Sequence, residues 1–310
     1  MPIFTGTISE DTIPQEVTKP LPPNLTADSL RIRLQEGGTI KFVDGGTEIV
    51  GGGFSTDLIR IWVVDKIELQ NSKIVTNGNN LVIICNKLIA NGASIISFDD
   101  NNRKAKNGEI YTGKNGEPGS PGDSGGVVSI HVVEDLQGRL DVNLSGQSGG
   151  NGLNGIAGDN GGQGAPGKPC DAGLDGFPFP HPVCHADGGP GGKGGTGSPG
   201  GHGGHGGNGG KGGTFLLFNV GDNSLPSAAY SFLADGGSGG KSGKGGAGGA
   251  GGPGGPGGDG NVVCHGGPVG PPGDRGSDGD TPGDGVTGPP GSIIVQNLDL
   301  QAFIGHILTK

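Results

Sequence analysis

Large apolar side chains are scarce in this chain of 310 residues: one tryptophan, one methionine and two tyrosines, with aromatics at 4% and hydrophobic residues together at 30%. An ordinary globular enzyme needs far more apolar surface to build its core. Basic residues are also few, 20 against 30 acidic for a net charge of −10, and the lysines stand singly. No face is therefore set up to attract a phosphate backbone, and no nucleic-acid partner is expected. No apolar run approaches the roughly 20 residues of a membrane span, so the chain is read as not membrane-spanning. The start, Met1-Pro-Ile-Phe-Thr-Gly-Thr, lacks the basic residues and apolar run of a signal peptide, so a place outside the cell implies signal-independent export. Cys85, Cys170, Cys184 and Cys264 are too few to define a disulfide framework by number.

Glycine fills the gap. Of 75 glycines, ten fall in residues 1–107 and the other 65 in 108–310, a collagen-like density that divides the chain into two architectures. Residues 1–29, with five prolines and little periodicity, read as an extended N-terminal arm. Residues 30–107 carry short β-branched runs at Leu30–Leu34, Thr39–Val43, Leu58–Val64 and Leu81–Cys85, with no helical period. A shift of 21 residues lays Val63-Val64-Asp65-Lys66-Ile67 on Ile84-Cys85-Asn86-Lys87-Leu88 and Ile74-Val75-Thr76 on Ile95-Ile96-Ser97, with a fainter match of Val43-Asp44 to Val64-Asp65. One coil of a β-solenoid is about that long. Cys85, at the Val64 position, reads as a small buried hydrophobe.

From residue 108 the glycines keep a strict three-residue register: Gly113 to Gly125, Gly146 to Gly176 with Cys170 in one slot, Gly188 to Gly212, and Gly237 to Gly291 broken at Asn261, Cys264 and Pro282. Such a period belongs to a polyproline-II-like helix whose glycine face admits another backbone. Strand-like segments at Val127–Val133, Arg139–Leu144, Thr214–Val220, Tyr230–Leu233 and Ser292–Val295 interrupt it, and Gly-Gly-X triplets supply little imino acid. A collagen triple helix is therefore disfavoured. Hairpins of polyglycine-II legs are expected instead: 146–176 with 188–213, turning at Phe177–Asp187, and 236–260 with 266–291, turning at Asn261–His265. Residues 108–126 form a shorter fifth leg. At about 3.1 Å per residue the long legs reach on the order of 80–95 Å. Cys170, Cys184 and Cys264 then come to similar heights, and a disulfide among them is expected, with the pairing left open.

Stretches such as Gly188-Gly-Pro-Gly-Gly-Lys-Gly-Gly-Thr-Gly and Gly245-Gly-Ala-Gly-Gly-Ala-Gly-Gly-Pro-Gly-Gly-Pro resemble the polyglycine-II bundle proteins. That group includes tip adhesins of T-even-like phage tail fibres and springtail antifreeze proteins. The resemblance covers about residues 108–291 and implies a fold more than a function. The 21-residue steps resemble those of bacterial and phage β-solenoids.

Chemical motifs are thin. Gly-x-Gly-x-x-Gly matches follow from composition, and no cofactor is expected. The pairs Cys184-His185 and Cys264-His265 hold zinc-type ligands, but adjacent residues point apart, and Asp274, Asp278, Asp280 and Asp284 lack a calcium repeat, so no metal is assigned. No nucleophile or paired-carboxylate arrangement stands out, so no enzyme is expected. The proline-locked turn Phe177-Pro-Phe-Pro-His-Pro182 does offer rigid apolar anchors, which makes Phe177, Phe179, His181 and His265 candidate binding residues. The apolar tail and the N-terminal arm suit strand exchange between copies, with Ile3, Phe4, Ile293, Ile294, Val295, Phe303 and Ile304 as candidate assembly residues.

The expected architecture is thus all-β: an arm (1–29), a short β-solenoid of about 21-residue coils (30–107), polyglycine-II hairpins interleaved with solenoid strands (108–291) and a docking tail (292–310). The expected function is a non-enzymatic structural subunit that partners itself in an extracellular or surface fibre. Alternatives are an adhesin for a cell-surface receptor or glycan, and ice binding.

Overall fold

The computed structural model describes residues 4–8, 38–49, 59–220 and 230–298. The expected strand Leu30–Leu34, most of the N-terminal arm, Ile3, Phe303 and Ile304 lie outside those residues. Thirteen strands follow one another: β1 (Phe4–Ile8), β2 (Thr39–Ile49), β3 (Ile59–Gln70), β4 (Lys73–Val75), β5 (Asn80–Ile96), β6 (Tyr111–Thr112), β7 (Asn115–Gly116), β8 (Val127–Asn143), β9 (Asp171–Asp175), β10 (His181–Ala186), β11 (Thr214–Val220), β12 (Tyr230–Leu233) and β13 (Ser292–Leu298). Among the described residues no helix is long and apolar enough to cross a membrane.

Nine strands form one sheet along the path β1-β2-β3-β5-β8-β11-β13, with β4 beside β2 and β5 and β12 beside β8. Parallel pairing stacks like residues into ladders. Trp62, Ile83, Ile130 and Leu217 form one ladder, and Leu81, Val128 and Phe215 another. All seven side chains are at most 1% exposed, and they anchor the apolar core. β5 and β8 carry left-handed glycines at Gly92 (φ 64°) and Gly138 (φ 78°), and beyond them Ile95 and Val142 continue into the same core. An added Cβ at Gly138 would sit 2.0 Å from the Ala90 carbonyl oxygen, so neither the φ nor the space admits a side chain there.

The expected short β-solenoid of 21-residue coils is not what the chain forms. The 21-residue step is the register of a single pairing, β3 and β4 on β5, as in Val64 opposite Cys85 and Ile74 opposite Ile95. The fainter match at Val43 fails, because Thr39 pairs with Lys66 and Phe42 with Leu69. Further steps are unequal: Val128 opposite Leu81, Phe215 opposite Val128, Tyr230 opposite Leu140. The result is a single, mainly parallel sheet with connections of very different length. Parallel pairing sets register between neighbours and leaves the length of each crossover free, so one self-match in a sequence does not establish a coil repeat.

The glycine segments are straight extensions of these strands. Leg 1 (116–126) runs into β8, leg 2 (146–170) leaves it, leg 3 (187–213) runs into β11, leg 4 (234–260) leaves β12, and leg 5 (266–291) runs into β13. Amides three residues apart donate in series to a neighbouring leg: Gly149, Gly152 and Gly155 to the carbonyls of Ser238, Lys241 and Lys244, each at 2.8 Å. The register crosses from sheet to legs without a slip. Leu140 pairs with Tyr230 in the sheet, and the same 90-residue separation joins Ser148 to Ser238 and Asn160 to Ala250. The 78-residue separation of Thr214 and Ser292 recurs at Asp187 and His265.

Candidate functional site

At the end of the legs remote from the sheet, β9 and β10 pair antiparallel, with His181 opposite Asp175 and Cys184 opposite Ala172. The strand Asp171–Asp175 lies where a continuation of the first long leg was expected, so leg 2 stops at Cys170. The amide of Cys170 still donates to the Asp259 carbonyl at 2.9 Å, preserving the bond its glycine slot would make. Between β9 and β10 the prolines hold Phe177 fully exposed and Phe179 at 85% exposure, across a cis Phe177–Pro178 bond. Leu174 and Val262 are exposed at the same end.

The cysteines join this hairpin to the turn between legs 4 and 5. Cys184 and Cys264 form a disulfide with Cα atoms 5.1 Å apart, while Cys170 is free and half-buried. Asn261 closes the turn: its Oδ1 accepts the amides of Val263 and Cys264 at 2.9 Å each, and its own amide donates to the Cys264 carbonyl. Asp187 Oδ1 accepts the His265 amide at 2.8 Å and lies 3.4 Å from Cys184 Sγ. The disulfide and this turn bring the four binding candidates to one end: Phe177, Phe179 and His181 on the hairpin, His265 on the turn clamped to it. Leu174, Val262, Asn261 and Asp187 belong there as well. Asn261 and Asp187 were legible as turn residues but not as partners of this end, and Leu174 and Val262 carry no pattern in the sequence.

The assembly candidates occupy the sheet edges. Among the described residues β1, which begins at Phe4, pairs with β2 only, Phe4 opposite Phe42. β13 likewise pairs with β11 only among the described residues, Phe215 opposite Ile293 and Leu217 opposite Val295. Ile293 thus ends the Leu81–Val128–Phe215 ladder among the described residues, where exposure goes from fully buried at Phe215 to 40% at Ile293. Ile294, on the other face, is 44% exposed, and Val295 packs half-buried against the core.

The remaining chemistry is inward or saturated. Asp274, Asp280 and Asp284 face Lys193, His202 and Lys241 across the legs, and Asp278 pairs with Arg275. Asn residues missed in the sequence satisfy outward amides: Asn115 accepts from His202, Asn151 from Lys241, Asn154 from Lys244 and Asn208 from Val286. Their signal was a recurrent Asn in a non-glycine slot. Ser129 and His131 lie 2.9 Å apart but buried within the sheet, His131 stacked on Phe218. Burial raises the Cys85 thiol far above its usual range and leaves it inert. A cleft of about 240 Å³ where the sheet meets legs 2 and 4 is lined by Phe98, Arg103, Leu233 and Ser238, and there Ser238 Oγ donates to Ser148 Oγ rather than into the space.

No protein-family model, curated protein or solved structure matches this chain.

Proposed function

We propose that the protein is a non-enzymatic structural subunit that adds its sheet to that of the next copy and so builds an extracellular or surface fibre. One observation carries the reading: β1 and β13 close opposite ends of a sheet whose pairings are all parallel, and the core ladder stops uncovered at Ile293. A β13 laid against the β1 of another copy continues the parallel strand direction. Contacts of this head-to-tail kind do not close on themselves and propagate as filaments. Concentrated protein viewed by electron microscopy is expected to show filaments. The double variant Ile293→Lys/Ile294→Lys, which puts charge on the edge, is expected to stay folded by circular dichroism yet sediment as a monomer. Wild-type protein that stays monomeric at high concentration rejects the reading.

A second reading, an adhesin whose exposed turn meets a cell-surface receptor or glycan, draws on the exposure of Phe177 and Phe179 and on the resemblance to phage tail-fibre tip adhesins. Under it, Phe177→Ser/Phe179→Ser weakens attachment to the target surface by about tenfold or more, the weight of one or two interface anchors, and leaves filament formation unchanged.

A further inference from the structure

The disulfide end holds a donor set that the disulfide alone does not use. Cys184 Sγ, Cys264 Sγ and an Asp187 carboxylate oxygen all lie within 4.8 Å of one another. Each is held from a different direction. Cys184 is on β10, directly across from Ala172. Cys264 is 4% exposed in the turn that Asn261 closes, its Sγ 3.3 Å from the Asp171 carbonyl oxygen. Asp187 is aimed by the His265 amide at 2.8 Å. Asp187 is exposed, so its carboxylate beside the two sulfurs is open to an ion arriving from solvent.

We infer that, once the disulfide is reduced, Cys184, Cys264 and Asp187 bind a thiophilic divalent cation of the zinc type. A thiol or phosphine reductant supplies two electrons, the S–S bond breaks, and each sulfur takes up a proton. On metal binding both thiols release their protons, and two thiolates and one carboxylate face one dication. Tetrahedral zinc holds its ligands at about 2.3 Å for sulfur and about 2.0–2.2 Å for carboxylate oxygen. The two sulfurs then sit about 3.8 Å apart, a span that Cα atoms 5.1 Å apart accommodate. The fourth position is left to water. Mixed thiolate and carboxylate donors select zinc or cobalt over calcium and magnesium, which prefer all-oxygen shells. The third ligand is Asp187, whose carboxylate oxygen is the donor within 4.8 Å of both sulfurs. The end of the molecule then has two alternative closures, a covalent one under oxidising conditions and a metal one under reducing conditions.

The test uses the full chain. Reduced with a phosphine and titrated with cobalt(II), wild-type protein is expected to bind one ion per chain with a thiolate-to-cobalt charge-transfer band in the near ultraviolet, and zinc is expected to displace it. The oxidised protein gives no such band. Cys184→Ser/Cys264→Ser loses the band. Asp187→Asn keeps an oxygen to accept the His265 amide but removes the charge, and is expected to weaken binding at least about tenfold. Cys170→Ser is expected to retain both band and affinity. Unchanged circular dichroism establishes that each variant is folded. The assignment is overturned if reduced wild-type protein shows no charge-transfer band, if the band survives in Cys184→Ser/Cys264→Ser, or if Asp187→Asn binds as tightly as wild type.

Discussion

Two adjacent glycines show how finely space is allotted. A Cβ at Gly161 would lie 1.9 Å from the Gly195 carbonyl oxygen, whereas one at Gly162 meets nothing within 4 Å, and neither residue has a left-handed φ. Gly162→Ala is expected to be neutral or to stabilise by up to about 1 kcal/mol through the unfolded chain. Gly161→Ala forces leg 2 off leg 3 and is expected to lower the melting temperature clearly. Differential scanning calorimetry on the pair checks both. The three-residue register marked Gly161 as a contact, but the freedom of Gly162 was not legible, since leg 3 carries glycine in the equivalent place for a real contact. Asp284 sets a pH dependence at the same scale. The Lys241 ammonium at 2.8 Å, with the Ser242 amide, holds its carboxyl down to about 2. A carboxylate depressed in the folded state contributes stability above the ordinary carboxylate range and loses it as pH falls from about 4 towards 2. Melting temperatures across that window are expected to fall less steeply in Asp284→Asn than in wild type.

Among the elements, glycine density follows the number of neighbours. In their distal halves legs 3 and 4 each donate to or accept from three other legs, and both read Gly-Gly-X; legs 2 and 5 there touch two and read mostly Gly-X-X. A leg hemmed on more sides has fewer slots where a side chain points to solvent. Pro282 shows the rule at a fault: proline has no amide to donate in its slot, and Thr281 Oγ1 and Asp284 Oδ1 accept the amides of Gly245 and Ser242 there. At the far end the disulfide does what apolar packing does in the sheet. It links residues 80 apart in sequence, and disulfides typically give roughly 2–4 kcal/mol. Cys264→Ser is expected to lower thermal stability by an amount of that order and to raise amide exchange over β9 and β10 while β5 and β8 stay protected. Exchange that rises equally everywhere would mean the legs and sheet unfold as one unit.

Across the described residues, sheet and legs share one set of registers, so the stacked ladders and the glycine contacts are a single hydrogen-bonded lattice that ends at β1 on one side and β13 on the other. The strands, the three-residue period and the turns at Phe177 and Asn261 were legible in the residues, because alternation, periodicity and proline act locally. A 21-residue self-match was legible too, yet it described one pairing and not a coil, since local sequence carries no record of how long each crossover is. Which of three cysteines pair, that a strand hairpin replaces the last turns of leg 2, and that Asp187 sits beside the sulfurs were set by long-range registers of 78 and 90 residues. Those registers arise when five legs pack against each other at once, and no stretch of the chain encodes them separately.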